Sequence, residues 1–146
     1  MKEYKHILVA TNLIEDTKPV ADKAKALAKL YNAKLSLVHV ISYSPVLYGA
    51  GEFAIPLNGD VETSIQKQAE ETLAKEGERL GVAKQDQWIE IGTTSGGIVN
   101  LVNKIGADLL VMGSHEHHGL GFLLGSTSNA LLHAMPCDVL AMRLTD

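Results

Sequence analysis

Leu109-Leu110-Val111-Met112 is an unbroken apolar run that passes directly into Gly113-Ser114-His115-Glu116-His117-His118-Gly119-Leu120-Gly121-Phe122-Leu123-Leu124-Gly125-Ser126-Thr127-Ser128-Asn129. A strand with one wet face alternates polar and apolar residues. A run without alternation belongs to a strand covered on both faces, as in a parallel sheet. His6-Ile7-Leu8-Val9-Ala10 and Leu35-Ser36-Leu37-Val38-His39-Val40-Ile41 read the same way. Val139-Leu140-Ala141-Met142 reads as the last strand, near the end of the sequence. Gln87-Trp88-Ile89-Glu90-Ile91 alternates and is less apolar, which suits an edge strand.

Helical spacing fills the intervals between these five segments. Val20, Ala24, Leu27 and Tyr31 form one apolar stripe, with Lys18, Asp22, Lys25 and Lys29 opposite. Val61, Ile65, Ala69 and Leu73 form a second, which Gly81 ends as a C-cap glycine. Ile98, Leu101, Val102 and Ile105 form a third, ended by Gly106. Leu124, Thr127, Ser128, Leu131 and Met135 form a fourth, ended by Pro136. Strands and helices therefore alternate from end to end. Such alternation predicts an α/β domain: a doubly wound, five-stranded parallel sheet with helices on both faces. Right-handed crossovers leave few strand orders. Ligands in such sheets bind past the carboxyl ends of the strands, where the order reverses. That places a site near Ala10-Thr11-Asn12, Val40-Ile41 and Gly113-Ser114.

The 146 residues are 46% hydrophobic and 21% charged, enough for one domain with a real core. No repeat, low-complexity tract or linker divides residues 1–146. The single cysteine, Cys137, excludes an intrachain disulfide framework and a four-cysteine zinc site. A lone thiol suits a reducing cytosol, and the polar start from Met1 to Lys5 lacks the apolar core of a signal peptide. A cytoplasmic protein is expected. Its apolar runs fall well short of the roughly 18 residues of a membrane span. Thirteen basic against seventeen acidic residues, a net charge of -4, argue against a sequence-independent grip on nucleic acid.

The glycine-rich stretch after Met112 is where chemistry concentrates. Glycines let backbone N–H groups curl around an anion, and a helix opening near Ser126 aims its free amides at the same place. Ser126, Thr127 and Ser128 add hydroxyl donors. The stretch reads either as a phosphate cradle or as a glycine-rich turn with Ser126 as N-cap. It is neither a Walker A loop nor a G-x-G-x-x-G fingerprint. His115, His117 and His118 surround Glu116, but this is not H-E-x-x-H, and adjacent loop residues cannot all face one ion; no metal site is assigned. His39 reads as a satisfied core histidine and Cys137 as a small apolar packer. Asn12 either faces a base or ribose in the crevice or caps the next helix. Thr93-Thr94-Ser95-Gly96-Gly97 reads as the first turn of the third helix. The connection over residues 42–60 is too long for a turn and is either a lid or a mobile loop. No placed general base or carboxylate pair for Mg²⁺ argues for catalysis.

Four segments carry a family likeness. They are Lys5-His6-Ile7-Leu8-Val9-Ala10-Thr11-Asn12-Leu13, Ala33-Lys34-Leu35-Ser36-Leu37-Val38-His39-Val40, and Ala107-Asp108-Leu109-Leu110-Val111-Met112-Gly113-Ser114-His115. The fourth is Leu123-Leu124-Gly125-Ser126-Thr127-Ser128-Asn129-Ala130-Leu131 followed by Pro136-Cys137-Asp138-Val139-Leu140-Ala141. In this order they resemble the universal stress protein family, specifically its short, single-domain UspA-like members. The resemblance implies the adenine nucleotide alpha hydrolase-like sheet, a regulatory role in stress rather than catalysis, and a homodimer through the last strand, from Val139 to Leu144.

The resemblance also implies ATP or AMP, with or without Mg²⁺, held by a G-x2-G-x9-G-[S/T] motif after the fourth strand. Carried over, Gly113, Gly125 and Ser126 match its ends. Ala10, Thr11 and Asn12 end the first strand, Val40 takes the adenine-flanking position, and Met112, His115, Thr127 and Ser128 complete the cofactor-binding set. Glu116 stands at the motif's second glycine, and eight residues rather than nine separate it from Gly125. A carboxylate there repels phosphate. Asn12 replaces an acidic residue, which leaves hydrogen bonding but removes charge. The alternative is a dimeric UspA-type protein that binds no nucleotide and acts through protein–protein contacts.

Overall fold

The computed structural model describes residues 3–11, 18–41, 59–91, 94–113 and 133–143. Strands β1 (His6–Ala10), β2 (Lys34–Ile41), β3 (Gln87–Ile91), β4 (Leu109–Gly113) and β5 (Asp138–Met142) form one sheet in the order β3-β2-β1-β4-β5. Every pairing is parallel. The helices between them are α1 (Lys18–Tyr31), α2 (Gly59–Leu80) and α3 (Thr94–Ile105), with a 3-10 turn, Lys84–Asp86, before β3. The strands fall where the apolar runs predict them, to within one residue at either end. The second helix begins at Gly59, inside the segment expected as a loop. Residues 42–58 lie outside the described residues.

Side-chain alternation splits the sheet into two cores. Leu8 and Ala10 of β1 join Val38, Leu110 and Met112 beneath Ile98, Leu101 and Val102 of α3. Ile7 and Val9 join Leu37, Leu109 and Val111 beneath Val20, Ala21 and Ala24 of α1 and Leu73 and Leu80 of α2. All of β4 is buried, whereas β3 and β5 are partly exposed along their length. β3 thus lies at an edge, as its alternating sequence suits, and β5 forms the other edge. The α1 stripe is rotated from the expected one: Ala21 and Ala28 are buried, and Leu27 and Tyr31 are only partly so. Small alanines let α1 approach the sheet closely. Of the helix expected over residues 124–135 only the last turn is described. His133 and Ala134 are helical there, and Met135 is buried in the α3-side core.

Helices α1, α2 and α3 stop by the same device. Asn32, Gly81 and Gly106 follow α1, α2 and α3 with φ of 53°, 74° and 72°. The next amide bonds back five residues: Ala33 to the Ala28 carbonyl, Val82 to that of Gly77 and Ala107 to that of Val102. This is the Schellman arrangement, in which a left-handed residue lets orphan carbonyls be satisfied. Asn32 is the one stop without glycine, and Asn tolerates that conformation better than most residues.

The amino-terminal end of the sheet is locked by polar groups. Asp108 accepts the amides of Lys5 at 2.8 Å and His6 at 3.0 Å, and its own amide donates to the His6 carbonyl. Tyr4 donates to Asp138 at the head of β5, 2.8 Å away, and its ring stands edge-on to Tyr31. The His6 ring reaches Ser36 on β2, with Nε2 and Oγ 2.7 Å apart. Burial, and after it the charge of Lys34, lowers the His6 pKa from the ordinary 6.5; Ile105, Asp86 and Asp108 pull the other way. Arg79 ties α2 to α1 through Asp22 at 2.6 Å and also pairs with Glu76. This exposed cluster contributes little to stability.

Two outcomes are expected. Gly106→Ala should cost about 1 kcal/mol in urea unfolding. An added Cβ there meets nothing within 4 Å, so the loss comes from the positive φ alone. Near neutrality the folded state binds fewer protons at His6 than the unfolded chain does. The stability from this group is complete above pH 6.5 and falls as the pH drops through that value. The urea midpoint should therefore decline between about pH 7.5 and about pH 5.5, and His6→Gln should make the decline shallower.

Candidate functional site

The strand order reverses between β1 and β4. From β1 the chain winds outward through β2 to β3, then crosses back to β4 and out to β5. In a doubly wound sheet a reversal of this kind is where a ligand crevice is expected, past the carboxyl ends of the two central strands. Among the described residues α1 packs on one face of the sheet and Met135 on the other. β1 and β4 pair in register with Ile7 opposite Leu109, Leu8 opposite Leu110 and Val9 opposite Val111. Ala10 and Thr11 therefore end beside Met112 and Gly113. Ala10 is 1% exposed, Thr11 4% and Met112 0%.

The structure brings Ala10, Thr11, Met112 and Gly113 together, as the spacing of the apolar runs predicts. Val40 lies in β2, registered against Glu90 of β3 and so farther from the reversal. Asn12, His115, Glu116, Gly125, Ser126, Thr127 and Ser128 lie outside the described residues. So does the phosphate-cradle reading that rests on them. Thr94, Ser95, Gly96 and Gly97 open α3, as expected of a first helical turn. Among the described residues no group of three or more His, Cys, Asp or Glu could hold a metal ion. No helix among them is long and apolar enough to cross a membrane. Cys137 packs against the α3-side core, in keeping with a packing role.

His39 has a more particular role than a generic core histidine. Its Nδ1 lies 2.9 Å from the Thr11 carbonyl oxygen. A carbonyl only accepts, so Nδ1 carries the proton. The Thr11 amide donates to the Val38 carbonyl at 2.9 Å. The amide and the carbonyl of Thr11 are thus both bonded by neighbouring residues of β2. Burial lowers the His39 pKa, and the Thr11 carbonyl partly opposes this, so the ring is neutral at pH 7. The sequence carried a signal for this contact: a histidine inside an apolar run needs a partner. Which partner depends on the register of β2 against β1.

A scan of family models matches the Universal stress protein family over residues 3–143. Universal stress protein A homolog 1 of Coxiella burnetii is 43% identical over 139 residues, covering 95% of this chain and 96% of that protein. Among solved structures, universal stress protein UspA from Lactobacillus plantarum superposes with a TM-score of 0.68 at 16% identity, over 98% of this chain and 100% of that one. A universal stress protein in complex with cAMP gives a TM-score of 0.60 at 22% identity, over 97% and 98% of the two chains. Both structural matches carry the same fold. With a family model spanning nearly the whole chain and a relative of this identity, the protein belongs to the universal stress protein family.

Proposed function

We propose that this protein is a stress-response regulator that binds an adenine nucleotide, ATP or AMP, in the crevice between β1 and β4, sensing it rather than turning it over. One observation carries the reading. The glycine-rich stretch begins at Gly113, where β4 ends, directly beside the end of β1 at the reversal of strand order. In this reading the base and ribose lie toward Ala10, Thr11, Asn12 and Val40. The phosphates lie toward the amides and hydroxyls of Gly125, Ser126, Thr127 and Ser128, with Gly113, Met112 and His115 on the approach. Mg²⁺ accompanies ATP as a counter-ion to its phosphates. The cAMP named for the structurally similar protein adds support, since it too carries adenine, ribose and phosphate. Glu116 works against the phosphates electrostatically, so affinity is micromolar or weaker. The protein acts in the cytoplasm as a homodimer, pairing β5 edges from Val139 to Leu144; β5 is an edge strand with one side of its ladder open in a single chain.

The second reading is a UspA-type dimer that binds no nucleotide and works through protein contacts; Glu116 and Asn12 favour it. Calorimetry and thermal shift with ATP and AMP, with and without Mg²⁺, separate the two. Stabilisation at millimolar ligand is expected, with several-fold tighter binding in Glu116→Gly. No stabilisation at that concentration selects the second reading. Small-angle scattering at tens of micromolar should return a dimer, and a monomer would contradict the edge pairing.

A further inference from the structure

We infer that His39 is a positioning residue for the crevice: by holding the Thr11 carbonyl it fixes where β1 leaves the sheet, and so sets the wall that a nucleotide meets. This rests on the nucleotide reading above. The β1 strand proper ends at Ala10, and one further ladder bond, from the Thr11 amide to Val38, extends it. Beyond that bond the Thr11 carbonyl is taken by a side chain, the His39 ring, instead of by another strand amide. The last described residue of this segment is therefore tied to β2 through both its amide and its carbonyl. The backbone that carries the ring is fixed on both sides: β2 runs between β1 and β3, and His39 is registered against Ile89 of β3, which packs into the α1/α2-side core. Thr11 is 4% exposed, so loss of the His39 donor removes a bond from a carbonyl with little access to water, and the end of β1 is held less firmly.

The chemistry makes the role specific. The bond requires a donor at the position of Nδ1, close to the backbone. Asparagine places its amide nitrogen at about that position. Glutamine places it farther out, near Nε2, and leucine fills the volume with no donor at all. A pre-set exit lowers the ordering cost of ligand binding, so its loss should appear in affinity.

The test compares wild type with His39→Asn, His39→Leu and His39→Gln. Calorimetry with Mg²⁺–ATP gives affinity, and amide hydrogen exchange read by NMR gives the protection of Thr11, both at a temperature where every variant is folded. His39→Leu should weaken ATP binding about tenfold and lower Thr11 protection by a similar factor. His39→Asn should stay within about threefold of wild type on both measures. If His39→Leu does not fold, His39→Gln should reproduce its losses. Wild-type affinity and wild-type Thr11 protection in the donor-less variants would overturn the proposal, as would equal losses in His39→Asn. If wild type itself binds no ATP, the nucleotide reading falls, an outcome distinct from wild-type binding that ignores position 39.

Discussion

β1 and β4 sit at the centre of the sheet, and neither has a face left for water. Ile7, Leu8, Val9, Leu110, Val111 and Met112 are each fully buried. This double burial is the constraint from which the rest follows. Both faces must be covered, so helices must pack on both sides. Parallel strands need crossovers, and right-handed crossovers from two adjacent central strands diverge to opposite faces. The ligand crevice expected at such a reversal, beside Thr11 and Gly113, follows from that divergence. It owes nothing to the identity of any ligand, which explains how one sheet can serve both a nucleotide-binding protein and one that binds none.

Double burial also sets a problem for polar groups, and the molecule solves it twice. Among the described residues Thr11 and Ser36 are the buried polar residues. A histidine on the neighbouring strand meets each of them, at the hydroxyl of Ser36 and at the backbone carbonyl of Thr11. His6 of β1 reaches Ser36 of β2 near the amino-terminal end, and His39 of β2 reaches Thr11 past the carboxyl end of β1. Burial keeps both rings toward the neutral form, in which an imidazole is an uncharged donor on one nitrogen and an acceptor on the other. The two contacts do different work. The one at His6 lies with the Asp108 clamp and helps lock the closed end of the sheet. The one at His39 lies where the chain opens into the crevice.

Much of this was legible in the chain itself. The strands could be placed because double burial writes itself as unbroken apolar runs, and the edges because Gln87 to Ile91 alternates. Helix stops at Gly81 and Gly106 were legible because glycine accepts a positive φ without strain. Asn32 stops α1 by the same geometry but was not singled out, since asparagine has many other uses. The α1 stripe was misjudged by a fraction of a turn. Alanines count weakly as apolar in a pattern, yet they allow the closest approach to a sheet and so decide which side faces it.

The sequence by itself determined the class of fold, the extent of each strand and the family, because these depend on local pattern and on rules of connection that hold for any such chain. It also put Ala10, Thr11, Met112 and Gly113 at one rim. Only the tertiary structure decided which polar groups meet across strands. Asp108 and the Lys5 and His6 amides are a hundred residues apart, and His39 and Thr11 are 28 apart. No local preference couples such pairs. They meet because the register of one parallel strand against another brings them opposite, and register is settled by the packing of both sheet faces at once.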